Sequence, residues 1–170
     1  MNNIDTTCEV NIPPIPSDLL MSMEQAQTLP RVELYNKDNT HVPVEWYRVY
    51  TCNQELRDWV IAHFPVEIEL VEYIVSEEAL LAHVDLGRNQ AYNYLLDPGG
   101  KNIVTEFYTA DRTQMINSME YQPNKWYILN VGLPHQVAGK LDSPRFLISV
   151  TPKAGVTYKF KANPNTSAKL

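Results

Sequence analysis

The chain has 170 residues, 44% of them hydrophobic and 20% charged, with a formal net charge of -6 and a pI of about 5.2. That length points to one domain with room for an apolar core. The acidic balance speaks against nucleic acid as a partner, because phosphate binding needs clustered Lys and Arg, and the basic residues here are scattered apart from Lys153, Lys159, Lys161 and Lys169 near the end.

The opening MNNIDTTCEVNIPPIP has neither a basic head nor an apolar run, and no apolar stretch approaches the roughly 20 residues that cross a bilayer. A cytoplasmic protein without a membrane partner is expected. Cys8 and Cys52 have no Cys or His at metal-finger spacing, and a stapled secreted domain would carry more cysteines.

Residues 1–30 read as an N-terminal extension broken by Pro13, Pro14, Pro16 and Pro30. Within it a short helix over 17–27 is expected, capped by Ser17, with Leu19, Leu20, Met23 and Ala26 at helical spacing. RVELY and VPVEWYRVYT flank the turn NKDNT and read as a hairpin. Residues 53–64 form the strongest helix pattern, with Asn53 as cap, Leu56, Trp59, Val60 and Phe64 on one face, and Pro65 as its stop.

From residue 66 to Pro152 the pattern changes to strands. VEIELVEYIV, LAHVDLG, NQAYNYLL, NIVTEFYTA, SMEYQ, KWYILNVG, HQVAG and RFLISVTP are separated by turns, of which Asp97-Pro98-Gly99-Gly100 is the clearest. About seven or eight short strands without an intervening helix predict an antiparallel sandwich or barrel. VTYKF adds one candidate strand in the tail, and 161–170 reads as a flexible end, leaving 31–160 as the domain proper.

The triplet His83-Val84-Asp85 raises the functional question. On a strand His83 and Asp85 share a face, and two ligands on one rigid segment are part of a metal site. A third must come from elsewhere. Of the other histidines, His41 lies in the hairpin and His63 near a helix end, whereas His135 follows the strongest late strand, 135 − 83 = 52 residues on. Two imidazoles and one carboxylate leave coordination positions open, a set that suits non-haem Fe(II) and oxygen chemistry. Ten residues past His135 (145 − 135 = 10), Arg145 opens an apolar strand. A planar guanidinium there is costly without an anionic partner, and a dicarboxylate cosubstrate would fit. Singly, each residue has an ordinary role: a core histidine, a turn cap before Gly87, a loop histidine after Pro134, a strand-edge charge. Their joint spacing is what argues for a site.

His83-x-Asp85, His135 and Arg145 together resemble the signature of the 2-oxoglutarate- and Fe(II)-dependent oxygenases, over roughly residues 66 to 152. HVDLGRNQAYNYLLDPGG, VTEFY and KWYILNVGLPHQV with RFLISVTP resemble the small single-domain members near the aspartyl/asparaginyl and prolyl hydroxylases. The resemblance implies a mainly β double-stranded β-helix (a jelly-roll, cupin-like barrel) with a few N-terminal helices. It implies Fe(II) held by His83, Asp85 and His135, 2-oxoglutarate paired with Arg145, and O2 as co-reactant. The substrate would be a small molecule or a peptide or protein side chain, hydroxylated with release of succinate and CO2. Where some members carry Ser two residues after the Arg, this chain has Leu147, with Ser149 further on. Help for the cosubstrate is then expected from AYNYLL. Tyr92 and Tyr94 share one face of it and Asn93 takes the other; the tyrosines are preferred, and Thr105 is a further candidate. Arg88 could orient Asp85 or meet a substrate carboxylate if Gly87 breaks the alternation, with a plain surface role slightly preferred, and Asn130 faces either the pocket or a turn. Two other readings stay open: a cupin-type metalloenzyme that does not use 2-oxoglutarate, which would usually show His-x-His and leaves Arg145 unexplained, and a non-catalytic jelly-roll binding module.

Overall fold

The computed structural model describes residues 6–35, 41 and 44–153. Strand β1 (Thr7–Glu9) is followed by a 3₁₀ turn (Ser17–Leu19) and helix α1 (Met23–Ala26). Then come β2 (Tyr47–Thr51), α2 (Gln54–His63), β3 (Ile68–Ser76), β4 (Gln90–Asp97), β5 (Val104–Tyr108), β6 (Met115–Glu120), β7 (Trp126–Asn130), β8 (His135–Ala138) and β9 (Arg145–Pro152). They form two sheets, a large one in the order β1-β7-β4-β9-β3-β2 and a small one in the order β6-β5-β8, with antiparallel pairing throughout.

Period-two alternation divides the large sheet into two working faces. One face carries Tyr73, Tyr92, Tyr94, Phe146, Ile148 and Val150, which pack against Leu56, Val60 and Phe64 of the α2 region and against Ile15 and Ala26. The other carries Val49, Ile74, Ala91, Leu129 and Leu147, which meet Phe107 and Tyr121 from the small-sheet side. Strand β9 lies between both packings and is buried along its whole length, as its near-continuous apolar run RFLISV requires. Helix α2 begins where expected: the Asn53 side chain accepts from the Leu56 N–H at 3.2 Å, and the chain turns away before Pro65.

From β3 onward the chain keeps changing sheets. It leaves β3 for an irregular segment at residues 79–89 that touches β8 through a bridge between His83 and His135, returns to β4, crosses to β5 and β6, comes back to β7, crosses to β8 and ends on β9. The turn Asp97-Pro98-Gly99-Gly100 sits against the start of β9. Gly99 has φ +79°, and a Cβ there would stand 2.8 Å from the Ser143 carbonyl, so only glycine fits.

Several expectations need correction. LAHVDLG is not a strand; it is extended chain carrying one bridge, because Gly87 at φ +79° and the turn after it prevent a continuous ladder. The helix expected over 17–27 is split into the 3₁₀ turn and α1, and the cap is Ser22, whose hydroxyl accepts from the Gln25 N–H while the Gln25 side chain accepts from the Ser22 N–H. The N-terminal extension, over its described residues 6–30, belongs to the domain: β1 pairs with β7 and Ile15 is in the core. The hairpin's first arm holds only isolated bridges, Arg31 with Tyr50 and Tyr35 with His41. Its turn at 36–40, the VTYKF strand and the 161–170 tail lie outside the described residues. Among the described residues no helix is long and apolar enough to cross a membrane.

Leu56 is fully buried. Leu56→Ala should lower the unfolding free energy by about 2–5 kcal/mol, and Asn53→Ala by about 1 kcal/mol through loss of the cap, both read from urea denaturation midpoints.

Candidate metal centre

His83, Asp85 and His135 converge. Their ligand atoms all lie within 4.8 Å of one another. Asp85 Oδ1 is 3.3 Å from His83 Nε2 and 3.7 Å from His135 Nε2, each within an ångström of the ~3 Å that separates neighbouring ligands around an ion at ~2.1 Å. His135 starts β8, is 6% exposed, and stacks on Phe107 with ring centroids 5.8 Å apart. Backbone bonds in both directions, each 2.9 Å, tie it to His83, and the Asp85 N–H donates to the Val131 carbonyl at 3.1 Å.

The two imidazoles are oriented in the same way. Each sets Nδ1 against the carbonyl two residues upstream, His83 to Leu81 at 2.7 Å and His135 to Leu133 at 2.9 Å. A carbonyl only accepts, so Nδ1 carries a proton on both rings and Nε2 is the atom turned toward Asp85; on His83 a second proton, on Nε2, donates to Asp85 Oδ1. Burial lowers the His135 pKa, and the nearby His83 lowers it further. Burial also acts downward on His83, but the hydrogen bonds to Asp85 and to the Leu81 carbonyl outweigh it and the pKa is raised. Burial would raise Asp85, yet His83, Arg88 and His135 together hold it down to about 2. A carboxylate that stays ionised beside two imidazoles that turn Nε2 toward it is a donor set that fits Fe(II) on one face once His83 gives up its Nε2 proton, and it leaves the opposite positions open.

Arg88 completes the arrangement. The left-handed Gly87 breaks the alternation and brings Arg88 back to the Asp85 side. Its Nε donates to Asp85 Oδ2 at 2.8 Å, while Nη1 donates to Ser149 Oγ at 3.2 Å and Thr151 Oγ1 at 2.8 Å on β9. One Asp85 oxygen is therefore occupied by the guanidinium and the other is presented to the imidazoles.

The three residues open onto a narrow cavity of about 60 Å³ between the sheets. Arg145, Asn93, Thr105 and Ser149 also line it. Arg145 is 4% exposed, and its Nε has no partner among the described residues. Burial lowers its pKa to about 10, so it remains a cation at neutral pH. Asn93 Oδ1 is likewise buried without a partner in that cavity. Thr105 is buried against Tyr121.

The preference for Tyr92 and Tyr94 needs correction: both lie on the opposite face, in the core against Phe64 and Trp126, and it is Asn93 that turns inward. The large aromatic rings are needed to fill the space under α2, and parity then sends Asn93 to the cavity. Asn130 does not line the cavity; its carbonyl accepts from the Leu133 N–H in the turn after β7. His41 pairs with Glu33, and His63 stacks on Trp59, so neither joins the centre. Sequence reasoning passed over Tyr47, Glu72 and Thr151. The available signal was a polar residue at an inward position of an otherwise apolar strand.

No family profile matches the chain, and no curated protein matches it by sequence. Its fold is similar to that of a solved prolyl hydroxylase from Trichoplax adhaerens, in complex with a hypoxia inducible factor oxygen degradation domain peptide fragment. The TM-score is 0.56 and the identity 13%, over 88% of this chain and 84% of that one. A polyketide cyclase, RemF from Streptomyces resistomycificus, matches at a TM-score of 0.42 and 9% identity over 78% and 80% of the two chains. At these identities the first likeness shows a shared fold.

Because a metal must displace the proton that His83 holds more firmly than usual, Fe(II) affinity measured anaerobically by calorimetry should rise with pH through the neutral range. Arg88→Met should weaken Fe(II) retention against a competing chelator by roughly 10–100-fold, the range for losing a group that orients a ligand, with the fold intact by circular dichroism.

Proposed function

We propose that the protein is an Fe(II)- and 2-oxoglutarate-dependent dioxygenase, built on a double-stranded β-helix, that hydroxylates a C–H bond of a small molecule or of a peptide or protein side chain. The observation that carries the reading is Arg145: a buried guanidinium with no anionic partner among the described residues, in the same cavity as the His83, Asp85 and His135 group. An isolated buried cation is expensive, and a dicarboxylate that reaches from the metal to Arg145 would compensate it. The weaving of the chain between the sheets, with the His83 segment bridged to β8, supports the double-stranded β-helix.

In this reading His83, Asp85 and His135 would hold Fe(II), with His83 Nε2, Asp85 Oδ1 and His135 Nε2 the atoms that face one another. The bound iron with 2-oxoglutarate supplies O2 activation and C–H oxidation, with succinate and CO2 as co-products. Arg145 binds the far carboxylate of the cosubstrate, and its planar fork suits a two-point contact. Asn93 offers a buried oxygen that needs a donor. Leu129, Val131 and Leu147 keep the cavity dry, which strengthens every charge contact inside it. Arg88 engages Asp85 Oδ2 and leaves Oδ1 facing the two imidazoles. The setting is taken as cytoplasmic, with no nucleic-acid or membrane partner.

Anaerobic titration of the Fe(II)-loaded protein with 2-oxoglutarate tests this. Wild type should develop a weak visible metal-to-ligand absorption and, in air with substrate, release succinate. His83→Ala should show no absorption. Arg145→Ala should need at least about tenfold more 2-oxoglutarate, since losing one partner of a buried charge pair costs about 2–5 kcal/mol. A wild-type protein that retains no iron and shows no absorption would overturn the reading.

A further inference from the structure

Outside the narrow cavity lies a second, more open cleft of about 380 Å³, reached past His83, Asp85 and Arg88. Val32, Leu34, Val44 and Trp46 form much of its wall. Tyr35 and Leu86 line it while 55% and 49% exposed, and apolar surface left open beside a polar centre marks a binding site. Its volume suits one small molecule or one side chain.

One acidic residue outside the metal group lines this cleft, Glu72. It sits on β3 opposite Thr51 and Ser149 and points inward with Ile74. Among the described residues its carboxylate has no hydrogen bond and no ion pair. Burial raises its pKa and the Arg88 charge acts against that from a distance. Arg88 makes no bond to it; its Nε and Nη1 serve Asp85, Ser149 and Thr151. Its carboxylate is thus half-buried, open to the cleft and available to accept from a ligand. The rings of Trp46, Tyr47 and Tyr35 line the same cleft, Tyr47 within range of the Glu72 charge, and aromatic faces attract cations. A carboxylate and aromatic rings in an apolar cleft match a cation on an apolar stem; an anion would meet Glu72 and Asp85 with Arg88 already committed.

We propose that this cleft binds the substrate, that the substrate carries a cationic amine-type group on an apolar chain, and that Glu72 is the residue that binds the cation. This rests on the oxygenase reading for calling the ligand a substrate; the cleft and its carboxylate need no iron, so the test is made on the full protein without added metal. Trp46 lines the cleft, while Trp59 and Trp126 lie on the far side of the large sheet, so fluorescence reports on the cleft through Trp46. Hexylammonium, hexanol and hexanoate are titrated in parallel. Hexylammonium should bind about tenfold or more tighter than hexanol, and hexanoate weakest. Glu72→Gln should abolish the advantage of hexylammonium yet leave hexanol binding unchanged, which also shows that the cleft is intact. Free lysine and Nα-acetyl-lysine methylamide then compete with hexylammonium: displacement by the first supports a free small molecule as source of the cation, displacement by the second a peptide side chain. The proposal is overturned if the probes bind alike, if hexylammonium does not bind, if its advantage survives Glu72→Gln, or if neither lysine competes. The iron and 2-oxoglutarate titration is separate, so a cleft that fails leaves the metal result standing, and the reverse.

Discussion

The candidate centre depends on two backbone hydrogen bonds. His83 and His135 exchange N–H···O contacts of 2.9 Å in each direction, which makes them a directly opposed antiparallel pair with side chains on the same face. That pairing sets the ring centroids 4.4 Å apart and brings Asp85, two residues on, to the same side. Bonds from the Val137 N–H to the Leu80 carbonyl and from the Asp85 N–H to the Val131 carbonyl flank the pair and keep the segment 79–89 aligned with β8. The local preferences agree: Pro134 favours extended chain at Leu133, and the Leu133 carbonyl then accepts a hydrogen bond from the His135 Nδ1–H. A single bridge between an irregular segment and the first residue of β8 thus sets where the ligand atoms meet.

The large sheet separates stability from chemistry by face. Its outer side is aromatic and aliphatic, closed by α2 and the N-terminal segment. Its inner side mixes apolar residues with Glu72, Asn93, Arg145, Ser149 and Thr151, which have no place in an ordinary core. A buried Arg145 with an open Nε is tolerated because β9 is held by neighbours on both edges, β3 and β4. The outer packing supplies stability that the polar inner face consumes.

Arg88 links these regions. By bonding Asp85 on one side and Ser149 and Thr151 on the other, it fixes the ligand carboxylate to the strand that also carries Arg145. The two ends of the narrow cavity then share one rigid frame, and the same guanidinium separates that cavity from the open cleft where Glu72 lies. Such shared supports are expected where charged groups must be placed to within half an ångström.

What the sequence determines by itself follows from interactions between chain neighbours. Asn53 and the Leu56, Val60 spacing define α2; the apolar runs at β3, β7 and β9 define strands; the His83-x-Asp85, His135 and Arg145 spacing marks residues that do stand around one cavity. Tertiary structure alone decides the rest. Alternation states that Tyr92 and Tyr94 oppose Asn93 but not which side is inward, since parity is local and its sign depends on what packs above each face. Thr7–Glu9 is too short for any periodic signal, so its place as an edge strand comes from pairing with β7, more than a hundred residues away. Arg88 reaches Asp85 only because Gly87 is left-handed, and Glu72 becomes a candidate only because residues 32–35 and 44–49 fold over it to form a cleft. Local propensity writes the elements and the spacing of the ligands; contacts distant in sequence choose the face, the partner and the opening.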